Sequence, residues 1–158
     1  MKIIDVPPAE APRLLPLLKE LHALHVAHQP ARHVADPEDG ALAAWLQDWL
    51  SSADAFALAA EDPQGALLGY LIFTLEVRPA LPVRAAETRV MLQHIAVAEA
   101  HRRQGVARAL MAEMKARAAA RGVTVIATTY APFNTASAAL MQRMGLEPVL
   151  TVAEMRAG

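Results

Sequence analysis

The residues best suited to chemistry lie between Gln93 and Ala107. Gln93-His94-Ile95-Ala96-Val97 reads as the end of a buried strand, and Ala98–His101 reads as a short turn. Arg102-Arg103-Gln104-Gly105-Val106-Ala107 then opens a helix. The first turn of a helix leaves backbone N–H groups unpaired and carries the positive end of the helix dipole, so it attracts an anion. Gly105 and Ala107 let anion oxygens come close to the backbone, while Arg102, Arg103 and Arg108 add charge at the same end. This arrangement predicts a phosphate-bearing ligand. It is not a Walker A loop, which needs Gly-Lys-Ser/Thr, nor a dinucleotide fingerprint, whose second and third glycines are missing. The plainer alternative is a strand–turn–helix with a solvated Arg-Arg pair and no ligand.

The elements that must position this segment follow from periodicity. Lys2–Pro7 reads as a short strand stopped by Pro7-Pro8. Ala9–His28 has apolar residues at three- and four-residue steps and reads as a helix, in which Pro16 marks a late start or a kink. Gln29–Gly40 is loop, and Asp39–Leu50 is a second helix. Ala53–Ala60 and Ala66–Val77 are β-like around the turn Asp62-Pro63-Gln64-Gly65. Thr88–Val97 is a long strand, Gly105–Arg121 a helix stopped at Gly122, and Val123–Thr129 a β-branched strand. Asn134 caps a helix ending near Met144 and Gly145, and Glu147–Met155 is expected as a last strand. The order implies one α/β domain over residues 1–158, built on a mixed sheet.

Composition narrows the chemistry. The chain has 158 residues, 54% apolar and 20% charged, as a globular domain does. It contains no cysteine, which excludes disulfides, thiolate-bound metal and a covalent thiol intermediate. The net charge of −1, with no interleaving of aromatic and basic residues, argues against nucleic acid. The longest apolar stretch, Ala66–Leu75, is shorter than the roughly 20 residues of a membrane span. No membrane partner is expected, and with no apolar leader in Met1–Pro12 the expected location is cytoplasmic.

Arg102-x-x-Gly105-x-Ala107, after an Ile-Ala-Val strand end, resembles the Gln/Arg-x-x-Gly-x-Gly/Ala motif of the GCN5-related N-acetyltransferases, the GNAT superfamily. The block from Asn134 to Leu146 is similar in spacing to that family's Asn-x-x-Ala-x-x-x-Tyr-x-x-x-Gly-Phe block. The resemblance spans essentially the whole chain. It implies a mixed, mostly antiparallel sheet flanked by helices, with a parallel strand pair that splays apart to hold acetyl-CoA as co-substrate. Ile95, Ala96 and Val97 would line that wedge, and the backbone from Arg103 through Gln104, Gly105 and Val106 to Ala107 would bind the pyrophosphate beside Arg102. Asn134, Ser137 and Met141 would contact the pantetheine arm or thioester. The implied reaction is direct transfer of acetyl to a primary amine of a small molecule. A protein or peptide amine is one alternative acceptor, and a non-catalytic acyl-CoA sensor is an alternative of another class. Members often form homodimers, so a homodimer is admitted.

The catalytic residues depart from the family's pattern. Met141 stands where many members have a proton-donating tyrosine, and a thioether cannot donate. Ser137, one turn earlier, and Tyr130, at the end of the preceding strand, are the remaining donors; the plainer reading of Tyr130 is a rim aromatic packing over the wedge. The family positions that supply a base align with Met91 or Gln93, so Gln93 is left to orient a water. Strand alternation sends His94 to the opposite face from Gln93, into the core. His25 is the candidate base on the first helix, among His22, His28 and His33. These histidines lack a further ligand to complete a metal site, and no metal is expected. Trp45 and Trp49 read as core anchors of the second helix or as an aromatic wall on the acceptor side.

Overall fold

In the computed structural model, which describes residues 1–158, five strands pair in chain order into one sheet. β1 (Lys2–Asp5), β2 (Ala55–Glu61), β3 (Leu67–Arg78) and β4 (Glu87–Val97) are antiparallel to one another, and β5 (Val125–Thr128) runs parallel to β4. A parallel pair needs a crossover, and α3 (Val106–Ala120) supplies it. The remaining helices are α1 (Leu15–His28), α2 (Asp39–Leu50) and α4 (Thr135–Arg143). The β2–β3 turn is set by Asp62, whose Oδ1 accepts from the N–H groups of Gln64 and Ala66 at 2.8 Å each.

Each face of the sheet has its own core. Leu58, Leu71, Phe73, Val90 and Leu92 pack against Leu110, Met111 and Met114 of α3 and Met141 of α4. On the other face, Ala57, Ala59, Tyr70 and Ile72 pack against Leu14, Leu17, Leu18, Leu46 and Leu50. Short alanines on β2 let α1 and α2 lie close to the sheet. Gly69 permits a second close approach, because a Cβ there would stand 2.8 Å from the Ala96 carbonyl and 3.0 Å from Val106 Cγ1.

Two expectations are corrected. The first helix does not run from Ala9: Pro8–Leu14 is a 3-10 helix, and α1 begins at Leu15 with Pro16 in its opening turn, where a missing N–H costs nothing. Glu147–Met155 forms no strand. β-Branched residues make a strand only where a ladder takes their backbone, and this segment has no ladder partner and leaves Val149 91% exposed.

The feature that matters for the site is a bulge in β4. Ile72 pairs with His94 and Phe73 with Leu92, so Gln93 is a surplus residue. A bulge bends its strand and ends regular pairing. The β4–β5 ladder stops at the Leu92–Thr128 pair, beside the bulge, where Thr128 Oγ1 donates to the Leu92 carbonyl at 3.0 Å. Beyond it the two strands part.

Candidate active site

The gap between the parted strands presents β4 as an unpaired edge. Ala98 N–H donates to the Leu68 carbonyl at 2.9 Å, so Ala98 faces β3. Antiparallel ladder bonds alternate, which turns the main-chain groups of Ala96 to β3 and those of Ile95 and Val97 into the gap. Arg102 Nε donates to the outward Val97 carbonyl at 3.2 Å. The segment offers an extended ligand a strand to pair with.

The start of α3 lies at the end of this edge. Arg103 (φ 63°) and Gly105 (φ 86°) are both left-handed, a conformation that turns successive N–H groups to one side. None of the backbone N–H groups from Arg103 to Arg108 has a partner within the protein. Val106 is buried against the sheet and pins the helix start there. Gln104 Nε2 donates to the Ala100 carbonyl at 2.9 Å and braces the loop. Arg103 and Arg108 have no carboxylate partner, and Arg102 approaches Glu20 of α1 at 3.8 Å. Free donors, the positive end of the helix dipole and two unpaired arginines thus belong to one short segment.

The opposite wall of the gap carries the remaining donor-side candidates. Asn134 is the N-cap of α4, its Oδ1 accepting from Ser137 N–H at 3.0 Å. Ser137 is part-buried, and its hydroxyl, like that of the 39% exposed Tyr130, makes no hydrogen bond. Met141 is placed differently from the expectation: it is 1% exposed inside the α3-side core, so it presents no surface to a ligand as it stands.

On the α1–α2 face, the bulge overturns the expected alternation. Gln93 Nε2 donates to Thr74 Oγ1 at 3.0 Å, and Thr74 shares a face with Ile72 and Tyr70 by strand parity. His94 reaches the same face, with its ring 5.2 Å from Trp49 and its Nδ1 3.5 Å from the Tyr70 hydroxyl. Gln93 and His94 therefore lie on one side of the sheet, as the two bulged positions do. With its Nε2 engaged, Gln93 keeps Oε1 free as an acceptor. Burial, with a smaller contribution from nearby His25, pushes His94 down to about 4, so it is neutral near pH 7.

His25 Nδ1 lies 2.9 Å from the Leu21 carbonyl. A carbonyl only accepts, so in neutral His25 the proton sits on Nδ1 and Nε2 holds the lone pair. The ring packs 5.4 Å from His33 and 5.5 Å from Phe133. Burial, together with His25, His22 and Arg32, holds His33 below the ordinary imidazole range, and its Nε2 has no partner. No group of three or more acidic, histidine or cysteine side chains is placed to hold a metal ion.

One contributor was missed in the sequence. Phe133, on the β5–α4 loop, stacks on His28 with ring centroids 4.3 Å apart and ties that loop to α1. The available signal was a phenylalanine just before a helix cap. Such a residue normally packs within its own helix; here it packs across to α1.

The comparisons with known proteins agree with this architecture. No curated protein matches the sequence. Among solved structures, a tetramutant of the Bacillus halodurans protein BH1408 matches with a TM-score of 0.89 at 17% identity, covering 99% of each chain. The ribosomal-protein-alanine N-acetyltransferase of Brucella melitensis biovar Abortus 2308 matches with a TM-score of 0.72 at 21% identity, covering 99% of each chain. An aminoglycoside N-acetyltransferase in complex with CoA matches with a TM-score of 0.76 at 21% identity, covering 98% of this chain and 93% of that one. These likenesses establish the fold. The family model described as acetyltransferase (GNAT) family matches residues 18–146, and the chain belongs to that family.

Proposed function

We propose that residues 1–158 act as a single acetyltransferase domain that moves acetyl from acetyl-CoA directly to a primary amine of a small molecule. The observation that carries this reading is the run of unpartnered N–H groups from Arg103 to Arg108 at the end of the open β4 edge. When bound, acetyl-CoA supplies an acyl carbon activated as a thioester. Ile95 and Val97 pair with the pantetheine arm, the α3 start with Arg102 binds the pyrophosphate, and Asn134 flanks the arm. Gln93 Oε1 accepts from the acceptor nitrogen or from a water beside it.

The amine lone pair forms the new C–N bond as the C–S bond breaks. His25 Nε2 takes the proton that nitrogen loses, directly or through a water, and Tyr130 or Ser137 gives one to the departing sulfur. Because the chain lacks cysteine, no acyl-enzyme on a thiol intervenes. Acetyl-CoA is an intracellular metabolite, so the reaction belongs in the cytoplasm.

The test is thiol release from acetyl-CoA across an amine panel. His25→Gln is expected to lower kcat/KM by about a hundredfold, with partial rescue by added imidazole. A His25→Gln enzyme within twofold of the parent would remove His25 from the reaction.

A further inference from the structure

We propose that Thr128 is a positioning residue for the acyl group: its hydroxyl fixes where the gap between β4 and β5 closes, and with it the length of acyl chain the site admits. The proposal rests on the acyl-transfer reading above and deepens it on the acyl side of the substrate.

The bulge changes which residues of β4 face β5. Below it, Leu75 N–H donates to the Asp54 carbonyl at 2.9 Å, away from β4. Thr74 and Glu76, on either side of Leu75, therefore turn their main-chain groups to their β4 partners Met91 and Arg89. Leu92, next to Met91, turns its own groups to β5. In a parallel ladder, a residue paired with Thr128 gives its carbonyl to the N–H one position further on, here that of Thr129. Thr129 N–H makes no main-chain hydrogen bond. The Thr128 hydroxyl takes the Leu92 carbonyl instead, at 3.0 Å, and lies farther from the Thr129 carbonyl, at 3.4 Å. A side chain has replaced the next bond of the ladder, and the strands part from that point.

The acyl group meets this closed end. With the pyrophosphate at the α3 start and the arm paired with Val97 and then Ile95, the sulfur arrives last, beside the bulge. Carbons beyond the thioester point at the Leu92–Thr128 pair. Below that pair the strands stay in register down to Arg89 and Val125, and Val90 and Leu92 are buried. The gap therefore has a floor, and the hydroxyl decides at which residue the floor lies. Without it, the Leu92 carbonyl has the idle Thr129 N–H as its nearest substitute, because a buried carbonyl seeks a donor. The ladder would then run one bond further and the floor would rise towards the sulfur.

Calorimetry with CoA, acetyl-CoA, butyryl-CoA and hexanoyl-CoA tests this on the parent, on Thr128→Val, which keeps the shape and loses the hydroxyl, and on Thr128→Ser, which keeps the hydroxyl. Thiol release with an amine panel is followed for the same proteins. The parent is expected to bind acetyl-CoA at least about tenfold more tightly than hexanoyl-CoA. In Thr128→Val, acetyl-CoA should lose at least about tenfold in affinity and in kcat/KM, while CoA stays within about twofold. Thr128→Ser should hold acetyl-CoA within about threefold of the parent. A valine variant that loses CoA and acetyl-CoA by the same factor, or loses neither, overturns the proposal. So does equal affinity of the parent for acetyl-CoA and hexanoyl-CoA, a result that needs no variant to fold. An acyl-length preference that Thr128→Val shifts, with no thiol release from any amine, supports the proposal and sinks the transfer reading instead.

Discussion

The two halves of the proposed site are made of different material. The donor side consists mostly of main chain: the outward groups of Ile95 and Val97 and the free N–H groups at the start of α3. The acceptor side consists of side chains brought from α1, α2, β3, β4 and the β5–α4 loop, with His25, Trp45, Thr74, Gln93, His94 and Phe133 as its parts. Main chain is the same in every protein, so a site built from it needs from the sequence only permission to adopt the right shape. A side-chain site needs particular residues to meet from distant points. The first kind tolerates divergence in most side chains, and the second can be rewritten one residue at a time.

The largest expected effect breaks the donor half by withdrawing that permission. Gly105→Glu forces a side chain into a left-handed position (φ 86°) and sets a negative charge against the incoming pyrophosphate. Acetyl-CoA affinity by calorimetry should fall at least a hundredfold, about 3 kcal/mol. Gly105→Asn, which tolerates that backbone, should keep most of the binding. Normal binding by the glutamate variant would show that the pyrophosphate lies elsewhere.

A comparable effect on the acceptor half concerns stability. Burial pushes His94 down to about 4 in the folded protein, against about 6.5 for an imidazole in an unfolded chain. The unfolded chain therefore takes up a proton below about pH 6.5 that the folded chain refuses until about pH 4. Stability is complete above that window and falls by about 3 kcal/mol as pH drops through it. His94→Leu should flatten this acid limb in urea unfolding followed from neutral to acid pH. An unchanged slope would place the acid sensitivity in other groups.

The smallest effect lies on the far wall of the gap. Asn134→Ala removes the oxygen that caps α4 and should cost about 1 kcal/mol in thermal or urea unfolding, with little change at the α3 start. A loss confined to acetyl-CoA affinity, with stability intact, would mean that Asn134 serves the ligand and not the cap.

The same contrast explains what could be read in the sequence. The strand–turn–helix, Gly105 and the Asn134 cap were legible because each is a local requirement expressed in neighbouring residues. The facing of Gln93 and His94 was not, since alternation assumes an unbroken ladder and the bulge exists only where β4 meets β3. The Phe133–His28 stack was hidden for a similar reason: it joins residues 105 positions apart. Glu147–Met155 shows the reverse error, in which strand-forming residues were present but no neighbouring strand received them.

β4 spans Glu87–Val97, 11 residues, to cover what β3 covers with the ten residues from Gly69 to Arg78. Shortening the chain by Gln93 alone would equalise those lengths and remove the strand's reason to bend from β5. The opening would close although every other residue remained. The capacity to admit a donor is in this sense a matter of arithmetic: one residue too many on one strand. A deletion at that point should be far less tolerable than any single substitution around it, whereas the exposed connection over residues 79–86 has no such count to keep.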